Sequence, residues 1–208
     1  MTTVKGKPRG YFEKVLALDC ETTGLAYNSD DPSIENDGRE YQSIAWGLVV
    51  ADAKTLKPIE ELYVEIKWDG KSEWNMRAQG VHGLSKEHLE ENGMSSEDAV
   101  LAIGNLIMKY WGPEGNIRLL GHNVVTFDMW FLKRLMRAQG INLKFGNRHI
   151  DTCSIGFATF ETFNSDDLFK AAGLPERDAS KHNALDDAKY ALESARRVKM
   201  IFQKGLNG

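Results

Sequence analysis

The chain has 208 residues, 42% of them hydrophobic and 27% charged, which is typical of a globular protein long enough to bury one sizeable core. Its formal charge of −4 at pH 7 excludes a protein that holds polyanions mainly through bulk electrostatics, because such proteins are usually basic. Two cysteines, Cys20 and Cys153, are too few for a zinc cluster and indicate a reducing compartment. No stretch reaches membrane-spanning length, and the N-terminus lacks a signal peptide's apolar core, so we expect a soluble cytoplasmic protein without a membrane partner.

The first part of the chain is predicted to be rich in strands. Residues 1–13 are expected to form a loose N-terminal arm, and residues 14–208 a single domain. A strand is predicted at 14–19, followed by an acidic loop over Tyr27 to Tyr41. Two further strands, 43–52 and 61–68, are expected to pair as a hairpin or meander with Pro58 in the turn.

Helical patterns dominate from residue 85 onward. A short helix is predicted at 85–92, then a longer one with Ser96 as N-cap that stops at Gly112. A strand in 116–123 precedes a helix over 126–138. The last helix, about 184–202, carries small residues at three- and four-residue steps and should pack closely on a sheet. Strands followed by interleaved helices predict an α/β or α+β sheet covered by helices.

Two carboxylates stand one residue apart in "ALDCETTGL", where the first predicted strand ends. On a strand, residues i and i+2 point to the same face, so Asp19 and Glu21 project together while Cys20 points away. Like charges repel at this distance. The pair therefore indicates either an open strand end in water or a cation between the two groups.

Two more acids begin predicted helices, Asp128 in "GHNVVTFDMWF" and Asp187 in "HNALDDAKYAL". Each alone is typical of a first-turn acid that complements the helix dipole. Asp186 lies about 100° around the helix from its neighbour and is expected to face solvent. Four carboxylates converging at one sheet edge would instead predict a site for Mg²⁺ or Mn²⁺. His182, an ordinary loop residue in isolation, would then be a candidate general base.

Three segments in order, "LDCETTGL", "HNVVTFD" and "HNALDDA", resemble the three exonuclease motifs of the DEDDh (DnaQ-like) superfamily, typified by the proofreading epsilon subunit of bacterial DNA polymerase III. The similarity runs from about Val15 to Ile201, and "GVHGLS" resembles a segment between the first two motifs. The resemblance implies a ribonuclease H-like α/β fold, with a mixed central β-sheet flanked by α-helices. It also implies hydrolysis of nucleic acid from the 3′ end with release of nucleoside 5′-monophosphates.

The resemblance further implies two divalent cations, Mg²⁺ or Mn²⁺, as cofactors. Asp19 would bridge both cations, and Glu21 and Asp187 would help hold the one that activates water. Asp128 would serve the second cation through water, and His182 would be the general base.

The same resemblance implies binding of a nucleic acid 3′ end, with single-stranded DNA as the first expectation. A polymerase or another replication or repair protein would be the protein partner. The residues expected to contact the terminal nucleotide are Thr22, Thr23, Gly24, Leu25, His82, Asn123 and Phe127.

Alternatives stay open at this point. An RNA 3′–5′ exoribonuclease of the same superfamily would differ only in local contacts to the 2′-hydroxyl. A non-catalytic nucleic-acid-binding or docking domain would be expected to have lost some of the five chemical positions, which are all present. A phosphatase with an aspartyl nucleophile would favour Asp-x-Asp at a strand end, whereas this sequence has Asp-x-Glu followed by Thr-Thr-Gly. "NSDDPSIENDG" lacks the twelve-residue spacing of an EF-hand calcium loop.

Overall fold

The structure, a computed structural model, describes residues 13–25, 41–176 and 182–206. Nearly all of the predicted N-terminal arm lies outside the described residues. So does the predicted acidic loop, except for its last residue, Tyr41, which is buried.

One mixed sheet forms the centre of the described chain. Its strands are arranged in the order β3-β2-β1-β4-β5. β1 pairs antiparallel with β2 and parallel with β4, β2 pairs antiparallel with β3, and β4 pairs parallel with β5. The strands are β1 (Lys14–Thr22), β2 (Ser43–Asp52), β3 (Pro58–Glu65), β4 (Leu119–Gly121) and β5 (Ile150–Asp151).

Helices cover both faces of this sheet, which confirms the predicted α/β class. They are α1 (Met76–His82), α2 (Lys86–Asn92), α3 (Ser96–Trp111), α4 (Asp128–Ala138), α5 (Thr152–Phe160), α6 (Ser165–Ala171) and α7 (Ala184–Leu206). None of the described helices is long and apolar enough to cross a membrane.

Alternation along β1 divides the core into two clusters. Leu16 and Leu18 point into the cluster that includes residues of α3 and α4. Val15 and Ala17 point into the cluster that includes residues of α6 and α7. Because both faces of β1 are buried, its sequence is a nearly continuous apolar run until the acidic residues begin.

The start of α7 lies directly against β2. Gly47 is in register with Asp19 on the neighbouring strand, and a Cβ on Gly47 would lie 2.2 Å from the carbonyl carbon of Ala184. The predicted small-residue face of α7 is buried at Ala184, Ala188 and Ala191. This close approach brings the first turn of α7 to the strand that carries the paired acids.

Two predicted local features were wrong. Ser95, not Ser96, is the N-cap of α3, and its Oγ accepts a hydrogen bond from the Asp98 N–H at 3.1 Å. Pro58 begins β3 instead of occupying the turn, where Leu56 has a left-handed φ of 54°. The N-cap lies one residue earlier than predicted, because the helix starts where a side-chain hydroxyl can accept a hydrogen bond from an unpaired N–H of the first turn.

Helix boundaries also differ from the expectation. α4 starts at Asp128, because a turn precedes it in which the Phe127 N–H donates to the Asn123 carbonyl at 3.1 Å. α7 continues past Phe202 to Leu206. Helices α1, α5 and α6 were not predicted. They are only 7 to 9 residues long, so their apolar periodicity is weak.

Candidate active site

Three of the four predicted acids meet at the end of β1. Asp19 and Glu21 project from β1, and Asp187 reaches them from the first turn of α7. One carboxylate oxygen from each residue lies within 4.8 Å of the others. Glu21 is buried, Asp19 and Asp187 are half-buried, and the neighbouring Asp186 is exposed as expected. The i, i+2 spacing on the strand accounts for the first two, and the approach of α7 to β2 supplies the third.

His182 lies beside these acids, in a cleft of about 190 Å³ that we call the acidic cleft. Its Nδ1 is 3.1 Å from Oδ2 of Asp187, and its backbone N–H donates to the Val81 carbonyl at 3.4 Å. The second contact ties the segment before α7 to α1. The residues that line the acidic cleft are Asp19, Glu21, His122, Ser165, Phe169, His182, Asp187 and Ala191.

Asp128 takes a different position from the other three acids. It is only 2% exposed, and its Oδ1 accepts a hydrogen bond from the Cys20 N–H at 3.0 Å. Burial raises the pKa of Asp128 to about 7, although its hydrogen bonds to Cys20 act in the opposite direction. Asp128 therefore lies against β1, and it is not a member of the described group of three carboxylates.

Cys20 lies between these acids and is buried. Burial, together with the charges of Asp128, Asp19 and Glu21, holds the pKa of the Cys20 thiol well above its ordinary value. A thiol in this environment stays protonated and is a poor nucleophile at neutral pH. The chemistry of the site therefore rests on oxygen and imidazole groups.

A second cavity, of about 330 Å³, opens on the other side of Glu21, and we call it the apolar pocket. α1 forms one wall and is attached to the first motif, because the Asn75 N–H donates to the Thr23 carbonyl at 2.7 Å. The side chain of Asn75 also caps α1 by accepting from the Arg77 N–H at 2.8 Å. The lining residues are Cys20, Glu21, Thr22, Leu25, Asn75, Arg77, Ala78, Val81, His82 and Phe127.

Four predicted substrate residues, Thr22, Leu25, His82 and Phe127, line this pocket. His82 is buried, and its Nδ1 accepts a hydrogen bond from the Leu84 N–H at 3.0 Å. Burial lowers the pKa of His82, and the nearby His182 lowers it further, against the opposing effect of the Thr22 backbone. His82 is therefore a neutral side chain at neutral pH.

Three other predicted substrate residues do not line the apolar pocket. Thr23 is buried, and its Oγ1 accepts a backbone N–H at 2.9 Å. Gly24 packs on the ring of Tyr41, where a Cβ would lie 2.3 Å from Cε1. Asn123 is exposed with a φ of 58°, and its N–H donates to Oδ1 of Asp151 at 3.1 Å. In this structure these residues shape the two motif loops.

Sequence reasoning missed several lining residues of both cavities. His122 lies in the quoted second motif, and its ring is held by Thr152 Oγ1 at 3.1 Å and by the Phe163 carbonyl at 2.9 Å. Ser165 and Phe169 come from α6. For α1, the available signal was an Asn N-cap at 75 with Gly83 just past the helix end.

The donor set fits divalent cations. Carboxylate oxygens are the ligands that Mg²⁺ and Mn²⁺ prefer, and three of them converge where uncompensated negative charges would repel one another. A mixed sheet with these acids at the end of its first strand and a histidine before its last helix fits a hydrolase that uses divalent cations. The chain belongs to the RNase_T exonuclease family, whose pattern matches residues 16–194. The predicted membership in the DEDDh-type 3′–5′ exonucleases, a group of phosphodiester hydrolases, is thereby confirmed.

Solved structures of exonuclease I share the fold. The complex of the E. coli protein with a dT13 oligonucleotide has a TM-score of 0.72 at 16% identity and covers 94% of this chain and 43% of that one. The zinc-bound E. coli complex with single-stranded DNA has a TM-score of 0.71 at 17% identity, and the match covers 91% of this chain and 41% of that one. An ExoI/SSB-Ct complex has a TM-score of 0.68 at 17% identity, and the match covers 90% of this chain and 41% of that one.

These matches confirm the predicted ribonuclease H-like fold. The chain spans about two-fifths of the length of the solved chains that it matches. No curated protein sequence matches it at a significant level.

Proposed function

We propose that this chain is a 3′–5′ exonuclease that shortens single-stranded DNA and releases nucleoside 5′-monophosphates. The observation that carries the proposal is the group formed by Asp19, Glu21 and Asp187 with His182 beside it, next to a pocket large enough for one nucleotide. The exonuclease I structures with single-stranded DNA and with dT13 favour DNA over RNA as the substrate.

Two divalent cations, Mg²⁺ or Mn²⁺, are the proposed cofactors. Asp19, Glu21 and Asp187 would hold them, and Asp128 would serve the second through water. When bound, the cations would lower the pKa of the attacking water and stabilise charge on the departing 3′ oxygen. They also explain how an acidic chain can act on a polyanion, because the positive charge is supplied locally.

His182 is the proposed general base. If its Nδ1–H donates to Oδ2 of Asp187 at 3.1 Å, the lone pair of the neutral ring lies on Nε2. That tautomer makes Nε2 the atom that accepts a proton from water. The carboxylate would also stabilise the imidazolium that results, so Asp187 would orient the base in addition to binding a cation.

The apolar pocket is the proposed site of the terminal nucleotide. Leu25 is 74% exposed at its rim, and Phe127 offers an aromatic ring from the second motif. Glu21 lines both cavities, so a nucleotide in the pocket would present its 5′ phosphate to the acidic cleft.

A time course with a 5′-labelled oligonucleotide tests this function. Purified chain with Mg²⁺ or Mn²⁺ should convert single-stranded DNA into a ladder of shorter labelled products, and chelation by EDTA should stop the reaction. Label released at once as a mononucleotide would contradict the polarity. An RNA of the same sequence, degraded faster than the DNA, would favour the exoribonuclease instead.

A protein partner stays a prediction. Exonuclease I has been solved in a complex with SSB-Ct, which supports testing replication and repair proteins against this chain. Titration of the chain into a labelled polymerase subunit or a single-strand-binding protein, followed by anisotropy, would detect such an interaction.

A further inference from the structure

One segment of this acidic chain is strongly basic. Residues 129–150 contain no Asp or Glu, in a chain whose acidic side chains outnumber its basic ones by four. The segment covers most of α4 and continues to the start of β5. Its five basic residues are Lys133, Arg134, Arg137, Lys144 and Arg148.

The structure fixes one of these cations between two aromatic rings. The Nζ of Lys133 lies 4.3 Å from the ring centroid of Trp130 and 5.6 Å from that of Phe145. Such contacts hold an ammonium group in place without neutralising its charge. We call the surface formed by Trp130, Lys133, Phe145 and Arg148 the basic patch.

Within the described part of the chain, no ion pair compensates the charge of the basic patch. Within the described ranges, neither Lys133 nor Arg148 forms an ion pair, whereas Lys144 pairs with Glu114. His149, next to Arg148, has a lowered pKa because it is partly buried and because Arg118 and Lys133 lie nearby. Several cations therefore act on one small region of the surface.

One end of the patch lies near the proposed site. The Trp130 N–H donates to the carbonyl of Phe127 at 3.0 Å, and Phe127 lines the apolar pocket. The other end lies farther away: Phe145 forms a bridge with Ile117, and Ile150 is level with Ala17 of β1, so Phe145 and Arg148 lie toward the end of the sheet opposite the acids. The basic patch thus begins at the second-motif loop and extends away from the acidic cleft along α4.

We propose that the basic patch binds the part of a single-stranded substrate that lies 5′ of the scissile bond. Lys133 and Arg148 would contact its phosphates, and Trp130 would offer an aromatic ring beside its bases. This inference rests on the proposed function, since it requires the chain end to occupy the apolar pocket. A positive groove with interleaved aromatic rings is the usual way in which proteins hold single strands without regard to sequence.

The proposal can be tested by binding, independently of hydrolysis. Anisotropy of fluorescein-labelled dT15 in metal-free buffer should show that the double variant Lys133→Glu/Arg148→Glu binds at least ~10-fold more weakly than the parent. Loss of two phosphate contacts should reduce the slope of log K against log salt by about 1.4. The milder double variant Lys133→Gln/Arg148→Gln should lose less affinity for dT15. Thermal melts should show that both double variants are folded.

A matched control carries the same charge change elsewhere. Lys54 and Lys57 are exposed in the turn between β2 and β3, at the end of the sheet remote from Asp19. Lys54→Glu/Lys57→Glu should leave dT15 binding within twofold of the parent. Equal losses in the two charge-reversed pairs would mean that only net charge matters and would overturn the proposal.

Two further outcomes separate the possibilities. Unlabelled polyglutamate that displaces dT15 from the parent as well as unlabelled dT15 does would assign the surface to acidic protein and overturn the nucleic-acid assignment. If the parent binds dT15 through the patch but hydrolyses no substrate with Mg²⁺ or Mn²⁺, the proposed function fails while the surface stands. Unchanged dT15 binding by Lys133→Glu/Arg148→Glu would overturn the assignment of the surface. Hydrolysis by the parent would then still support the proposed function.

Discussion

The acidic cleft and the apolar pocket share Glu21 but differ in almost everything else. In the acidic cleft three carboxylates lie within 4.8 Å, a spacing at which their negative charges repel one another and bound cations would be stabilising. In the apolar pocket Glu21 and Arg77 are the charged lining residues, and burial favours the neutral form of His82. The difference suggests a division of labour in which the cleft supplies charge for the reaction and the pocket supplies shape for binding. Cleft variants should then lower kcat, whereas pocket variants should raise KM.

The largest effect is expected from removing an acid of the cleft. Asp19→Ala should lower kcat by at least ~10³-fold, because the cations would lose one of the three carboxylates proposed to hold them. Its free energy of unfolding in metal-free buffer should not decrease, since one of three repelling charges is gone. The exposed neighbour on α7 provides a control, and Asp186→Ala should retain activity. Full activity of Asp19→Ala, or of the parent in EDTA, would contradict the site.

A smaller loss is expected for the proposed base. His182→Ala should lower kcat by ~10²-fold while calorimetry still detects binding of Mn²⁺. The rate of the parent should fall toward low pH, because an imidazolium cannot accept a proton from water. His88 is a half-exposed histidine that pairs with Glu65, and His88→Ala serves as the control that should retain kcat. Retained turnover with the same pH profile would mean that water ionises without His182.

The approach of α7 to β2 can be disturbed without touching any acid. A Cβ on Gly47 would lie 2.2 Å from the Ala184 backbone, so Gly47→Ala should shift the start of α7 and cost about 2 kcal/mol of stability. Because Asp187 moves with that turn, kcat should also fall. Gly104→Ala is the control, since its Cβ would meet only Met136 Cε at 3.7 Å. An unchanged melting temperature and rate would show that α7 is not held by this contact.

Asp128 should reveal its burial through pH. Burial raises the pKa of the Asp128 carboxyl from its ordinary value of 3.8 to about 7, so the carboxyl favours the folded state below pH 3.8, and this contribution is lost as pH rises through 7. In metal-free buffer, Asp128→Asn should therefore be about 2 kcal/mol more stable than the parent at pH 8. The advantage should vanish near pH 4. Denaturant unfolding at pH 4 and pH 8 measures this difference in the free energy of unfolding. A difference that does not change with pH would contradict a raised pKa for the buried Asp128.

The smallest effect is expected at the rim of the apolar pocket. Leu25→Ala should raise KM about tenfold with little change in kcat, because the lost contact is made equally in the bound ground state and the transition state. Ile59→Ala, a similar truncation on β3 where the side chain is 46% exposed, should leave KM unchanged. A fall in kcat alone would place Leu25 with the chemistry of the cleft and would weaken the division between the two cavities.

The sequence could predict the parts of the site that depend on local periodicity. Asp19 and Glu21 share a face because strand residues alternate, and Asp187 and Asp186 separate because a helix turns by about 100° per residue. The short helices α1, α5 and α6 were missed, since seven to nine residues give little periodicity to recognise, although α2 of similar length was predicted. The wall that α1 forms around the apolar pocket was therefore not anticipated, apart from the contribution of His82.

By itself the sequence determined strands β1 to β4, the long helices and the chemical types at the motif positions, because these depend on residues close together in the chain. Only the tertiary structure decided which of those residues meet. The three carboxylates converge because Gly47 allows the backbone of Ala184 to approach, and Asp128 stays apart because it accepts the N–H of Cys20. Such outcomes depend on packing and desolvation between segments more than a hundred residues apart, which no local pattern encodes.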